Sequence, residues 1–178
     1  MRLFIAICLT DVIKDSLCET IAELRGAARR GRYTHRENLH LTLVFIGETD
    51  RIDDILDVMD EAAEESFTEP IELTLTCPGA FRGRGGDLHW VGVENTPALK
   101  RIAKDLAAGL SGAGFTIEKR RFTPHITIAR EVSIAPGEDV PVKIHPASMA
   151  ADRISLMRSD RVNGRLVYTE IASVFCGI

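Results

Sequence analysis

Residues 3–9 are apolar at every position: Leu3, Ile5 and Ile7 alternate with Phe4, Ala6 and Cys8. Such a run predicts a strand buried on both faces. From Asp11 to about Arg30 the period lengthens. Ile13, Leu17, Ile21, Leu24 and Ala28 recur every three or four residues, as on an amphipathic helix. Leu39, Leu41, Leu43 and Phe45 then alternate with His40, Thr42 and Val44, which is a strand pattern. Ile52, Ile55, Leu56, Met59 and Ala63 mark a second helix from about Arg51 to Glu65. Ile71, Leu73 and Leu75 suggest another strand, and the Gly83–Gly86 turn leads into a strand over Leu88–Val93. Thr96-Pro97 offers a capping oxygen and a proline for the first helical position of a third helix. Its core face is Leu99, Ile102, Ala103, Leu106 and Leu110, and Gly112 and Gly114 end it. A strand follows around His125–Ala129. Two more, Arg153–Met157 and Arg165–Ala172, join through Asn163-Gly164, a strong hairpin signal.

Strands and helices do not alternate strictly, so the pattern reads as α+β with largely antiparallel pairing. At 178 residues the chain suits one domain over 1–178, or two small lobes sharing an interface. With 45% hydrophobic and 27% charged residues it is ordinary for a folded protein, which rules out disorder as the main state. The formal net charge of −4 argues against a purely electrostatic nucleic-acid binder, though not against a local basic cleft. No segment is long and apolar enough for a membrane-spanning helix, and Asp11 and Asp15 spoil a signal peptide. Cys8, Cys18, Cys77 and Cys176 form no Cys-x-x-Cys pair. They read as small, mostly buried hydrophobes of a reduced cytoplasmic protein. Nothing demands an obligate dimer, so a monomer is expected.

One internal echo changes the picture. Asn38-Leu39-His40-Leu41-Thr42-Leu43 resembles Pro124-His125-Ile126-Thr127-Ile128, and the two histidines are 85 residues apart (125 − 40), near half the chain. Side chains at i and i+2 share a strand face, so His40 and Thr42 point one way while the aliphatics point into the core. The same holds for His125 and Thr127. The spacing suggests two similar lobes facing each other across a cleft. Imidazole titrates near neutrality, so one ring can take a proton from water while a charged partner gives one to a leaving oxygen. The threonine hydroxyls can donate to an oxyanion. A phosphodiester held between the rings suits this device, because displacement at phosphorus needs attacking and leaving oxygens on opposite sides. A single His-x-Thr is a common feature of half-exposed strands; two copies half a chain apart carry the functional reading.

On these residues the chain resembles the two-histidine phosphoesterase superfamily, and within it the RNA 2′,3′-cyclic phosphodiesterases, also described as 2′-5′ RNA ligases. The resemblance extends over Arg2–Ile7, Glu37–Leu43 with Phe45–Glu48, Thr123–Arg130, and Ile154–Ser159 with Tyr168. It implies a bilobal α+β fold with two pseudo-symmetric lobes, sheets lining a central cleft and helices outside, and no metal or other cofactor. The implied reaction is opening of a ribose 2′,3′-cyclic phosphate by water to a 2′-phosphate, with ATP-independent 2′-5′ joining of RNA ends as a side activity. Carried over by position, His40 is the proton donor and His125 the proton acceptor, while Thr42 and Thr127 bind phosphate. RNA with a cyclic phosphate end, transfer-RNA fragments among the possibilities, is the implied partner, and no membrane is.

Charge patterning points the same way. Arg25, Arg29, Arg30, Arg32 and Arg36 lead into His40, and Lys119, Arg120 and Arg121 lead into His125. Acids crowd Asp50–Glu65 instead, which is most simply a solvated face. A basic rim on an acidic protein attracts a polyanion locally. Arg130, three residues beyond Thr127, is the arginine best suited to phosphate. His35, His89 and His145 read as surface, structural and loop residues. Tyr33, Phe81 and Trp90 could stack a base or pack a core. Three other activities compete. One is an RNA-end binding module without turnover. Another is a phosphodiesterase for small cyclic nucleotides. The third is a metallohydrolase with His35, His40 and His125 as ligands, for which no paired metal-ligand spacing exists.

Overall fold

A computed structural model describes residues 1–135 and 142–177. Along the chain run β1 (Arg2–Cys8), α1 (Asp11–Ala27), β2 (Arg30–Tyr33), a 3-10 turn (Arg36–Asn38), β3 (His40–Glu48) and α2 (Ile52–Ser66). Then follow β4 (Ile71–Phe81), β5 (Asp87–Val93), α3 (Pro97–Gly112), β6 (His125–Ser133), β7 (Ser148–Ala151), β8 (Arg153–Val162) and β9 (Arg165–Phe175). The strands form two sheets, ordered β3-β1-β8-β9 and β2-β6-β5-β4-β7, and every described pairing is antiparallel. Helices α2 and α3 pack on each other and against β9 and β3, while α1 packs against β2, β6 and β7. The α+β, two-sheet architecture expected from the sequence is the one observed.

The β1 pattern explains its place. Leu3, Ile5 and Ile7 enter the main core, whereas Phe4 and Ala6 form a second small cluster with Met157, Cys8 and Tyr168 on the opposite face. A strand apolar on both faces belongs in the interior of a sheet, and β1 lies between β3 and β8. The two sheets do not divide the chain at its midpoint. The first sheet takes β8 and β9 from the C-terminal half, and β2 from the N-terminal half pairs with β6.

Local differences have local causes. Helix α1 stops at Ala27, because Arg30–Tyr33 finds β-partners in Ala129–Ser133, starting from an Arg29 N–H bond to the Ser133 carbonyl at 2.8 Å. Strand β7 has no apolar alternation and owes its conformation to pairing with β4. Thr96 caps α3 as expected, its hydroxyl accepting from Leu99 N–H at 3.2 Å. All four cysteines are free, but Cys77 is exposed and the others only half-buried, so "mostly buried" overstates their environment.

Candidate active site

Strands β3 and β6 sit in different sheets yet adjoin each other, and both present their polar face to one cleft of about 1060 Å³. His40, Thr42, His125, Thr127 and Arg130 all line it. Arg130 does so because of a bulge. Three residues from Thr127, it would face the core on an unbroken strand. Opposite β5, however, Trp90 pairs with Thr127 and His89 with Ala129, so β6 carries one extra residue there. Ile128 and Ala129 are consequently both buried, and Arg130 turns back to the cleft. The same bulge occurs in β3: Ala6 pairs with Thr42 and Ile5 with Val44, Leu43 and Val44 are both buried, and Phe45 turns to the cleft. Phe45 is thus the structural counterpart of Arg130, at the same 85-residue offset (130 − 45) that relates the histidines. The sequence reading passed over Phe45 as one more apolar strand residue; the offset was the signal that could have found it.

The two rings are held alike. His40 Nδ1–H donates to the Asn38 carbonyl at 2.7 Å, and His125 Nδ1–H to the Thr123 carbonyl at 2.7 Å. A carbonyl only accepts, so Nδ1 carries the proton in both neutral rings and Nε2 is the atom left for chemistry. Each ring touches two aromatics. Phe4 and Tyr168 lie 4.9 and 5.0 Å from His40, and Phe81 and Trp90 lie 5.7 and 6.0 Å from His125. Trp90 can lie flat across β4 because Gly79 has no Cβ to meet its ring.

Their surroundings differ. Burial against Phe4 and Tyr168 pushes the His40 pKa below the usual imidazole value. The charges of Arg130 and His125 push it the same way, against the Asn38 carbonyl. Thr42 Oγ1 lies 2.9 Å from His40 Nε2, whereas among the described residues no such bond joins His125 to Thr127. Burial also raises the Tyr168 pKa, so its phenol keeps a proton to donate. Asn38, buried, clamps this corner. Its amide donates to the Leu166 carbonyl at 2.8 Å, and its Oδ1 accepts from Tyr168 N–H at 3.3 Å.

The basic run before His40 divides in space. Arg25 stacks over Tyr33 at 4.7 Å, and both line the cleft with Arg32 and exposed His35. Arg36 turns away to Asp11 and Asp15, 2.8 Å from each, and Arg30 reaches the Gly85 carbonyl. Arg120 meets Glu118, and none of Lys119, Arg120 and Arg121 lines the cleft. Continuity in sequence therefore overstated the basic rim. His89 is buried, and His145 lies between Glu19 and Glu23 at 2.8 and 3.0 Å, so neither belongs to the cleft. Among the described residues, no three His, Cys, Asp or Glu side chains converge as metal ligands, so the trio His35, His40 and His125 forms no such group.

A family model of the 2′-5′ RNA ligase superfamily matches residues 13–163. The chain belongs to this superfamily. An RNA 2′,3′-cyclic phosphodiesterase of Thermotoga maritima is 32% identical over 89% of this chain and 87% of its own length. The Escherichia coli protein of that name is 29% identical over 96% and 93%. Among solved structures, TT0787 of Thermus thermophilus superposes with a TM-score of 0.83 at 26% identity, covering 99% of this chain and 98% of that one. E. coli LigT complexed with 3′-AMP gives 0.75 at 27% identity, covering 98% and 97%. These two-histidine phosphoesterases share the two-sheet fold over essentially its whole extent. No helix among the described residues is long and apolar enough to cross a membrane.

Proposed function

We propose that the protein is an RNA 2′,3′-cyclic phosphodiesterase. The observation that carries this reading is the pair of imidazoles from separate sheets, each fixed through Nδ1 by the carbonyl two residues back, lining one cleft with two threonines and Arg130. In the reaction His125 Nε2 takes a proton from water as the water oxygen bonds to phosphorus. The bond from phosphorus to the ribose 3′ oxygen breaks, and His40 Nε2–H gives that oxygen its proton. A 2′-phosphate and a 3′-hydroxyl result, and solvent resets the two rings. Thr42, Thr127 and Arg130 stabilise the charge that grows on the non-bridging oxygens. A 5′-hydroxyl in place of water, run in the synthetic direction, joins RNA ends through a 2′-5′ linkage without ATP.

The depressed His40 pKa bears on the order of events. In the empty cleft His40 favours its neutral form, with the Thr42 hydroxyl able to donate to Nε2. The negative charge of a bound cyclic phosphate offsets Arg130 and the second imidazole, so substrate itself restores the proton that the donor must carry. The two histidines, two threonines and Arg130 meet within one chain, so the proposed reaction calls on no residue of a second copy and a monomer suffices for it. The four free thiols suit a reducing cytoplasm.

A short RNA ending in 2′,3′-cyclic phosphate, incubated with the protein in EDTA, tests the reading. The expected product is a 2′-monophosphate, identified by phosphorus NMR. Tight binding without turnover would instead make the protein an RNA-end binding module, and activity abolished by EDTA would make it a metallohydrolase.

A further inference from the structure

The β8–β9 hairpin forms one end of the cleft, and its cations are not used by the chemistry above. Arg161 and Arg165 line the cleft on either side of a tight turn in which Asn163 and Gly164 adopt φ of 50° and 79°. Arg161 pairs across the hairpin with Leu166, and Arg165 with Val162. Among the described residues no carboxylate lies within 4.0 Å of either guanidinium; the polar contact of Arg161 is the Gly164 carbonyl at 3.5 Å. The acids nearby are engaged, Asp160 by Arg158 at 2.7 Å and Glu48 by the N-terminal amine at 3.6 Å. The hairpin is also fixed relative to the catalytic strand, since Asn38 bonds both the Leu166 carbonyl and the Tyr168 amide. The backbone that carries these two arginines is therefore held in place relative to His40. Leu166 and its partner Arg161 stand two residues beyond Tyr168, the ring against His40, which is about 7 Å along a strand.

We infer that Arg161 and Arg165 form a subsite for the phosphodiester backbone on the 5′ side of the terminal nucleotide, so that the cleft selects RNA chains over cyclic mononucleotides. This rests on the phosphodiesterase reading and extends it to substrate class. A nucleoside 2′,3′-cyclic phosphate has one phosphorus, which the histidines, threonines and Arg130 occupy. Only a chain supplies a second phosphate to reach the hairpin. Guanidinium forks match phosphate oxygens in charge and geometry, and their planarity limits the freedom lost per hydrogen bond formed.

The test compares a six-nucleotide RNA ending in 2′,3′-cyclic phosphate with the cyclic mononucleotide of the same terminal base, for wild type and for Arg161→Gln/Arg165→Gln. The wild type is expected to prefer the RNA in kcat/KM, and the double variant to lose about tenfold of that preference. A parallel measurement needs no turnover. Binding of an unreactive RNA with a 3′-hydroxyl end is titrated against salt, and the double variant should flatten the slope of log affinity on log salt by about 0.7 for each lost contact. A wild type without preference for the RNA, or a variant whose preference and salt slope both match wild type, overturns the subsite. If neither substrate turns over, the phosphodiesterase reading fails by itself, and the salt slope alone decides the hairpin: a flatter slope upholds the subsite, an unchanged one overturns it.

Discussion

Strands β3 and β6 present the same sequence pattern in two environments. Each places a histidine and a threonine on the cleft face, fixes Nδ1 on a carbonyl two residues back, and carries a bulge that turns the residue at His+5 inward. The environments then part. His40 is hemmed in by Phe4 and Tyr168, its Nε2 meets Thr42, and its inward residue is Phe45. His125 stands beside exposed Phe81, has no bond to Thr127 among the described residues, and its inward residue is Arg130. Repetition of the backbone brings two imidazoles to one cleft, where the proposed reaction needs two proton carriers on one phosphorus. Divergence of the surroundings can then give them different jobs, because the neighbours packed against a ring set how readily it takes or keeps a proton. At this inward position β3 presents an exposed aromatic ring, with Arg2 over it at 5.1 Å, where β6 presents a cation.

The largest effects break the pair itself. His40→Ala and His125→Ala should each cost about 10²–10⁴-fold in kcat on cyclic-phosphate RNA, with circular-dichroism melting little changed. A substrate whose leaving group needs no proton separates their roles. With bis(p-nitrophenyl) phosphate, His40→Ala should recover most of the wild-type rate while His125→Ala stays slow. Recovery by His125→Ala alone would exchange donor and acceptor.

A smaller effect sharpens the electrostatic contrast. Arg130 is one of the charges holding down the His40 pKa, so Arg130→Gln should move the His40 transition to higher pH in an NMR titration. As donor, His40 must be protonated, so the alkaline limb of kcat/KM should move to higher pH with it. The rate at the optimum should still fall, by about tenfold or more, because the phosphate loses its guanidinium. An acetate or phosphate ion in the cleft should also raise the His40 transition. A downward shift in either experiment would contradict the coupling.

Much of this was legible in the sequence because it rests on periodicity. The alternation of Leu39, Leu41 and Leu43 and of Ile126 and Ile128 assigned both strands and the outward face of each histidine. The three helices followed from their three-and-four spacing. Bulges escape such reasoning, since one extra residue reverses the face of everything after it; Arg130 and Phe45 reach the cleft for that reason alone. Edge strands escape it too. Arg30–Tyr33 and Ser148–Ala151 have no apolar pattern and are strands by virtue of their neighbours. Charge runs mislead when, as with Arg36, a neighbouring helix supplies the acids.

The smallest effects concern how each ring's supporting carbonyl is itself held. Under His40 the carbonyl belongs to Asn38, whose buried side chain is bonded to β9 at the Leu166 carbonyl and the Tyr168 amide. Under His125 it belongs to Thr123, whose side chain is exposed, and the following residue is Pro124, buried. Proline restricts its predecessor to extended backbone, so on this side local stereochemistry does what a tertiary clamp does on the other. Asn38→Ala should cost about 1–3 kcal/mol in urea unfolding, because it leaves backbone groups of β9 without partners. Thr123→Ala should stay within about 0.5 kcal/mol of wild type, since the carbonyl is retained and nothing buried is lost. Pro124→Ala should fall between them in stability. It should lower kcat more than its stability loss suggests, because freeing Thr123 loosens the tautomer and direction of His125 without unfolding β6. Equal effects of Asn38→Ala and Thr123→Ala would mean that the two carbonyls are held alike after all.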